Sequence, residues 1–302
     1  ASWFNQPLNV DFSTKEGAKA YQVAVNLNGN WQPAKTGVLP EAVNEALSGS
    51  VAWDGKVGID LPYHAGATYN IELNGDLKNV SSHLPSPLAK PAGEPLAVNV
   101  KVDGNLNSFE LTGQAGADNH FNSRWLLGQK LTLDRAIWAA DSKTLPPLPE
   151  QSGVELNMPP MNGAEWLALF QKGAAESVGG AASFPQHITL RTPMLSLGNQ
   201  QWNNLSIVSQ PTANGTLVEA QGREINATLA MRNNAPWLAN IKYLYYNPSV
   251  AKTRGDSTPS SPFPTTERIN FRGWPDAQIR CAECWIWWQK FGLIIRRMNV
   301  PR

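Results

Sequence analysis

The sequence predicts a mainly β protein, and three observations carry that prediction. Helical periodicity is scarce. Apolar and polar residues alternate with period two from "YQVAVNLNGNW" (21–31) to "ATLAM" (227–231), the pattern of strands with one apolar face. One phrase also recurs: alternating apolar residues, then Asn or Asp followed by Gly, then another apolar residue. It stands in 21–31, in "SVAWDGKVGIDL" (50–61), in "YNIELNGDL" (69–77) and in "AVNVKVDGNL" (97–106).

Asn-Gly and Asp-Gly are strong short-range hairpin signals, but parity argues against a two-residue loop here. Such a loop would set Leu73 beside Asp76 and turn Leu77 to the polar side. Instead Tyr69, Ile71, Leu73, Gly75 and Leu77 keep one phase, as do Val98, Val100, Val102, Gly104 and Leu106. A strand running through the glycine preserves that phase, and so does a three-residue loop with Gly in the left-handed position. Either way one face is lined by Val, Leu, Ile, Tyr and Trp and the other by Asn, Gln, Glu, Asp and Lys. The apolar face needs a cover. A second sheet or helices would make a closed core; a ligand such as an acyl chain would fill an open trough.

Two segments depart from the alternation. "LPEAVNEAL" (39–47) carries Pro40 where a first helical turn tolerates it. "NGAEWLALFQKG" (162–173) begins at a candidate Asn162 cap and stops at Gly173. Both read as short helices, too few to cover many strands. The stretches 81–95, 143–153 and 247–264 are rich in Pro, Ser and Gly and read as linkers, with 247–264 the candidate mobile loop. This divides the chain into a β region over 1–142, a Pro-rich linker and helix over 143–181, a second β region over 182–292, and an atypical tail over 293–302.

Composition narrows the function classes. The 302 residues hold 25 Lys plus Arg against 24 Asp plus Glu, with no basic stripe, so a nucleic-acid partner is not expected. Charged residues make up only 16%, a balance that suits an exported β protein. No stretch approaches the run of ~20 apolar residues that a spanning helix needs, and Ala1 opens no signal peptide. The chain reads as a piece of a longer exported protein.

Enzyme signatures are absent: there is no phosphate loop, no G-x-G-x-x-G after a strand, no G-x-S-x-G and no H-E-x-x-H. His64, His83, His120 and His187 lie far apart and read as surface residues. Asp54, Asp76, Asp103 and Asp134 read as turn or outer-face residues. No catalytic residue, metal or cofactor is called for. Cys281 and Cys284 form the C-x-x-C of "RCAECWIWWQKFG" (280–292). A thioredoxin-type site needs a helix after a strand, which "CWIWWQKF" does not resemble, and a structural zinc needs four ligands. In an extended strand their α-carbons would stand about 10 Å apart, too far for a disulfide. A disulfide therefore requires a β-turn at 281–284. An exported setting favours that disulfide over free thiols, and a strand from Trp285 would then be apolar on both faces.

"INFRGWPDAQIRCAECWIWWQKFG" (269–292) and "ASFPQHITLRTPMLSLGNQQWNNLSIVSQP" (182–211) resemble the bacterial AsmA-like family over residues 1 to about 292. The second segment has a Phe-Pro lead-in, two strands, a Gly-Asn turn and "WNNLSIVSQ". The tail "LIIRRMNVPR" departs from the pattern. The resemblance implies a long, twisted antiparallel β-sheet curled into an open apolar groove with a few short helices. It also implies periplasmic transfer of phospholipids between inner and outer membrane, with acyl chains in the groove and no covalent chemistry. The full-length protein would be anchored in the inner membrane and reach both membranes through regions outside this chain. The residues expected to line the groove are Val23, Val25, Leu27, Val51, Trp53, Tyr69, Ile71, Leu73, Val98, Val100, Phe109, Leu111, Ile188, Leu190, Leu205 and Ile207. The helix over 162–173 would plug or edge the groove through Trp166, Leu167 and Phe170, or pack against a sheet end. A structural or interaction protein of the envelope with a closed core is the alternative, and a thiol redox enzyme a more distant one.

Overall fold

A computed structural model describes residues 1–37, 39–175, 182–246 and 278–281. A short hairpin, β1 (Ser2–Trp3) and β2 (Gln6–Pro7), precedes the first long strands, β3 (Asn9–Glu16) and β4 (Ala20–Trp31). An excursion then carries helix α1 (Glu41–Asn44) and β5 (Leu47–Gly49), after which come β6 (Val51–Pro62) and β7 (Thr68–Asp76). A second excursion contains β8 (Val80–Ser82), which pairs with β5. It leads to β9 (Ala97–Asn105), β10 (Ser108–Ala115), β11 (Asn119–Leu127) and β12 (Leu131–Ala140). Then follow β13 (Gly153–Asn157), β14 (Met161–Asn162), helix α2 (Gly163–Ala175), β15 (Ala182–Ser183) and β16 (Ile188–Leu197). The described chain ends with β17 (Gln200–Thr212), β18 (Gly215–Gln221), β19 (Ile225–Arg232), β20 (Trp237–Leu244) and β21 (Gln278–Cys281).

One large sheet holds nearly all of these strands. Its pairing runs β3–β4–β6–β7–β9–β10–β11–β12–β13–β16–β17–β18–β19–β20–β21. Among the described residues no register joins β3 back to β21, and the sheet is not closed into a barrel. The outer strand β3 is exposed along its whole length, with Phe12 at 75%, as an edge with a single neighbour should be. From β3 to β20 there are fourteen strands in sequence of pairing, and at ~4.8 Å between neighbours the sheet extends about 60 Å across its strands.

The strands run straight through the glycines of the repeated phrase. Gly29 lies inside β4, Gly55 inside β6, Gly75 inside β7 and Gly104 inside β9, each paired on both sides or next to a paired residue. The Asn-Gly and Asp-Gly pairs therefore make no turns here. The two alternatives left open by parity resolve to a continuous strand.

The sheet is antiparallel except in its middle, where β12, β13 and β16 run parallel. A uniformly antiparallel sheet was expected, and the difference has a physical cause. Parallel neighbours need a long crossover, and this chain supplies two: the Pro-rich 141–152, and 158–187 with α2 in it. Period-two alternation reports a half-buried strand and carries no information on its direction. The bulge where Arg124 and Trp125 pair with Arg135 and Leu133 leaves Asp134 as the extra residue of β12. The predicted helices are both present, α1 shorter than expected with Pro40 as its N-cap, and α2 starting at Gly163 directly after the expected Asn162 cap, whose Oδ1 accepts from the Ala164 amide at 3.1 Å, and running past Gly173 to Ala175.

His120 corrects one expectation. It is buried, with its Nε2 3.3 Å from the Ala117 carbonyl oxygen, whereas a surface position was expected. It stands where β11 begins, and a period-two reading of "DNHFNSRW" could not tell that the turn 116–118 folds over it. The expected mobile loop 247–264, the turn at 281–284, Cys284, the strand from Trp285 and the tail 293–302 lie outside the described residues.

Candidate functional site

Register carries the apolar phase from strand to strand without a break. Leu27 faces Gly55, which faces Leu73, then Val100, Gly113, Phe121, Trp138, Leu156, Leu190, Ile207, Ala220, Ala227 and Ile241. A parallel row one step away holds Val25, Val57, Ile71, Val102 and Leu111. Directly paired residues share a face, so all sixteen predicted lining residues stand on one side of the sheet. None of the described side chains in the whole protein is fully buried. Fourteen of the sixteen are half-buried, Leu205 is buried, and Ile188 is 40% exposed. Val57, Ile59, Val102, Phe121, Trp125, Trp138 and Leu156 share the face and were not among them. Their phase within "VGIDL" or "NHFNSRW" could have found them, except that the bulge at Asp134 shifts the parity of β12.

Glycines on the apolar face make room for large neighbours. Gly29, Gly55, Gly75, Gly104 and Gly113 all take positions on the apolar face, each under a bulky neighbour. A Cβ on Gly104 would come within 2.6 Å of the Tyr69 ring and 2.7 Å of Phe109 Cβ; one on Gly55 would meet Leu73 Cδ2 at 2.6 Å. Side chains crowd on the inner side of a curved sheet, and alternating large with small residues fits them to the taper. The apolar face is therefore closely filled at these positions, large side chains lying over the glycines.

The opposite face is polar and laced by amide and carboxylate side chains. Asn99 Nδ2 donates to Asn74 Oδ1 at 2.6 Å, Gln22 Nε2 donates to Asp60 Oδ1 at 2.8 Å, and Asn74 Nδ2 donates to Asp54 Oδ2 at 3.3 Å. Asp54 and Asp103 are on this face, and Asp76 caps a turn by accepting from the Lys78 and Leu96 amides. The four histidines are not brought together, and among the described residues no group of three or more His, Cys, Asp or Glu is arranged to hold a metal ion.

The two ends of the strands differ in what they carry. At one rim, where Trp31, Val51, Asp76, Ala115 and Ala140 lie, the connections 32–50 and 77–96 are long, while 116–118, 198–199 and 222–224 are short turns. The excursions 32–50 and 77–96 form a small layer of their own around Ala42, Val80 and Leu84, all buried. Lys90 is buried in it, and its Nζ donates to the Val80 and Pro91 carbonyls at 3.0 Å each. The β1–β2 hairpin adds Trp3 and Phe4, whose rings pack on Trp31, itself 4.7 Å from Trp53. Helix α2 closes the group. Trp166 Nε1 donates to the Ser86 carbonyl at 3.0 Å, Lys172 pairs with Glu45, and α1 lies against α2.

Trp166 also reaches the apolar face. It packs against a cluster of buried residues that includes the floor, formed by Ala140, Met158, Met161, Leu195 and Leu205. Here α2 covers the floor; elsewhere the floor is half-open. Leu167 is half-buried, but Phe170, expected to face inward, is 63% exposed and touches only the edge of the arrangement through the Trp166 ring at 5.9 Å. At the opposite rim the connections are tight turns, 17–19, 63–67, 106–107, 128–130, 213–214 and 233–236. Phe109, Trp125 and Phe184 form a ring series there, with centroids 6.1 and 6.3 Å apart.

A family model described as "YhdP protein" matches residues 1–299. A curated protein of Escherichia coli (strain K12), "Intermembrane phospholipid transporter YhdP", is 99% identical over 294 residues, which is 97% of this chain and 23% of that protein. The chain thus spans less than a quarter of that relative's length. No solved structure matches.

Proposed function

The chain belongs to the YhdP family, and from that premise we propose that it is a stretch of a bridge that conducts phospholipids between the inner and outer membranes, acyl chains lying on the apolar face. The observation that carries this reading is the unbroken apolar row from Leu27 to Ile241, none of whose members is fully buried. Removing apolar surface from water is worth ~25 cal/mol per Å², so a floor of similar aliphatic side chains holds a tail about equally at each strand. Even affinity lets a lipid slide, whereas a deep polar pocket would trap it.

The sixteen predicted residues, from Val23 to Ile207, act in this proposal as floor, and the two antiparallel runs β3–β12 and β16–β20 are successive stretches of it, joined at 143–181. The role needs no bond made or broken. The printed name of the E. coli relative supports phospholipid as cargo. The periplasmic setting, the inner-membrane anchor and the contacts with both membranes belong to the proposal.

The test is lipid mass spectrometry on gently purified protein, with photocrosslinkers at Ile71 and Val100. Co-purifying phospholipid crosslinked through its acyl chains is expected. Clean apo protein with no lipid adducts at either position would overturn the reading.

A further inference from the structure

We propose that the bare rim, built from the turns 17–19, 63–67, 106–107 and 128–130, is the track along which phospholipid headgroups travel, while the opposite rim is sealed. This inference rests on the conduit reading and adds to it an orientation for the cargo. Three observations carry it.

The first is cover. The layer of α1, β5, β8 and α2 lies along one rim only and is built to stay, with a buried apolar centre and the bonds from Trp166 and Lys90. Among the described residues no such layer lies at the other rim, where the hairpin turns have two to five residues and the crossovers into β13 and β16 arrive with only the two-residue β15. The second is exposure. Beside the exposed Trp3, Leu39, Leu88 and Phe170 of the covered rim, large apolar side chains also reach water all along the bare rim, where Leu61, Leu106, Leu127 and Phe184 are 39%, 68%, 38% and 60% exposed. That is the surface a lipid's glycerol and upper chain carbons would cover. The third is charge. The bare-rim turns contain Lys19 and Lys130 and no Asp or Glu, whereas in the sealing excursions Lys35, Lys78 and Lys90 are matched by Glu41, Glu45 and Glu94, so the basic excess lies at the bare rim. Every phospholipid carries an anionic phosphate, and lysine ammoniums attract it while carboxylates repel it. Tyr63 at the same rim combines an apolar ring with a hydroxyl that donates to the Gly17 carbonyl at 3.1 Å, the amphipathic character found where apolar and wet zones meet.

The experiment uses the full-length transporter to which the chain is similar, loaded from vesicles with phosphatidylethanolamine carrying a photoreactive group on the headgroup or on the acyl terminus. After illumination, labelled peptides are identified by mass spectrometry. The acyl probe is expected to label β7 and β9. The headgroup probe is expected to label 63–67 and 128–130 several-fold more than 32–50 and 77–96, and K19E/K130E is expected to reduce that labelling while acyl labelling persists. Headgroup labelling that is equal at both rims, or stronger on the excursions, overturns the track while leaving the conduit standing. Failure of the acyl probe to label the apolar face overturns the conduit and the track together.

Discussion

Trp166 stands over Trp138 across the apolar face, ring centroids 6.5 Å apart and planes at 64°. The indole of Trp166 thus fixes α2 at two points, by edge-to-face contact with the floor and by its bond to Ser86. Trp166→Ala removes both, and truncation of a large buried ring costs about 3–5 kcal/mol; for this half-buried one, about 2 kcal/mol is expected. Amide exchange over 163–175 should then accelerate roughly 30-fold, measured by mass spectrometry, with β6, β7 and β9 unchanged.

Gly104 admits no side chain without movement of the sheet, because Phe109 Cβ, 2.7 Å from the added atom, is tied to the paired strand and cannot swing aside as the Tyr69 ring can. Gly104→Ala should destabilise by about 1–3 kcal/mol through overpacking. Gly66→Ala, in a turn where the added Cβ meets nothing within 4 Å, should be close to neutral. Denaturant titration distinguishes the two.

Ile71→Glu places a charge in the middle of the floor, and Asn70→Glu places one on the polar face one residue away. Both positions are open enough for the fold to survive. Co-purifying phospholipid should fall sharply in the first variant and stay at the original level in the second, read by lipid mass spectrometry at matched protein amounts.

Lys90→Met keeps most of the buried stem and deletes two hydrogen bonds to carbonyls, so about 1–3 kcal/mol should be lost locally. Limited proteolysis should open 77–96 first. The outer-face pair Lys101–Glu72, at 3.8 Å and exposed, offers the contrast: Glu72→Gln should change stability by less than about 1 kcal/mol.

Much of this was legible in the sequence because the side-chain period of a strand is two and its phase survives from Tyr69 to Leu77 and from Val98 to Leu106. That phase alone places Ile71 and Val100, and Val25 in the same way within its own strand, on the apolar face. What it could not tell was direction and cover. The parallel course of β13 leaves no mark on "GVELN", whose alternation reads the same in either direction. The burial of Lys90 and His120 comes from connections folding back, a tertiary event with no local signature. Phe170 sits on the apolar stripe of its helix, yet the helix meets the sheet mainly through Trp166, and helical spacing alone cannot say how far a stripe is covered.

The asymmetry of the two rims acquires a further meaning once the sheet's length is considered. Neighbouring strands turn by about 20–25° relative to one another, so thirteen steps from β3 to β20 rotate the frame by roughly three-quarters of a revolution. The rim of short turns then winds about the sheet's long axis, in the manner of a screw thread. A lipid holding its phosphate to that rim would advance about 60 Å while revolving about that axis, so that its translation and its rotation are geometrically linked.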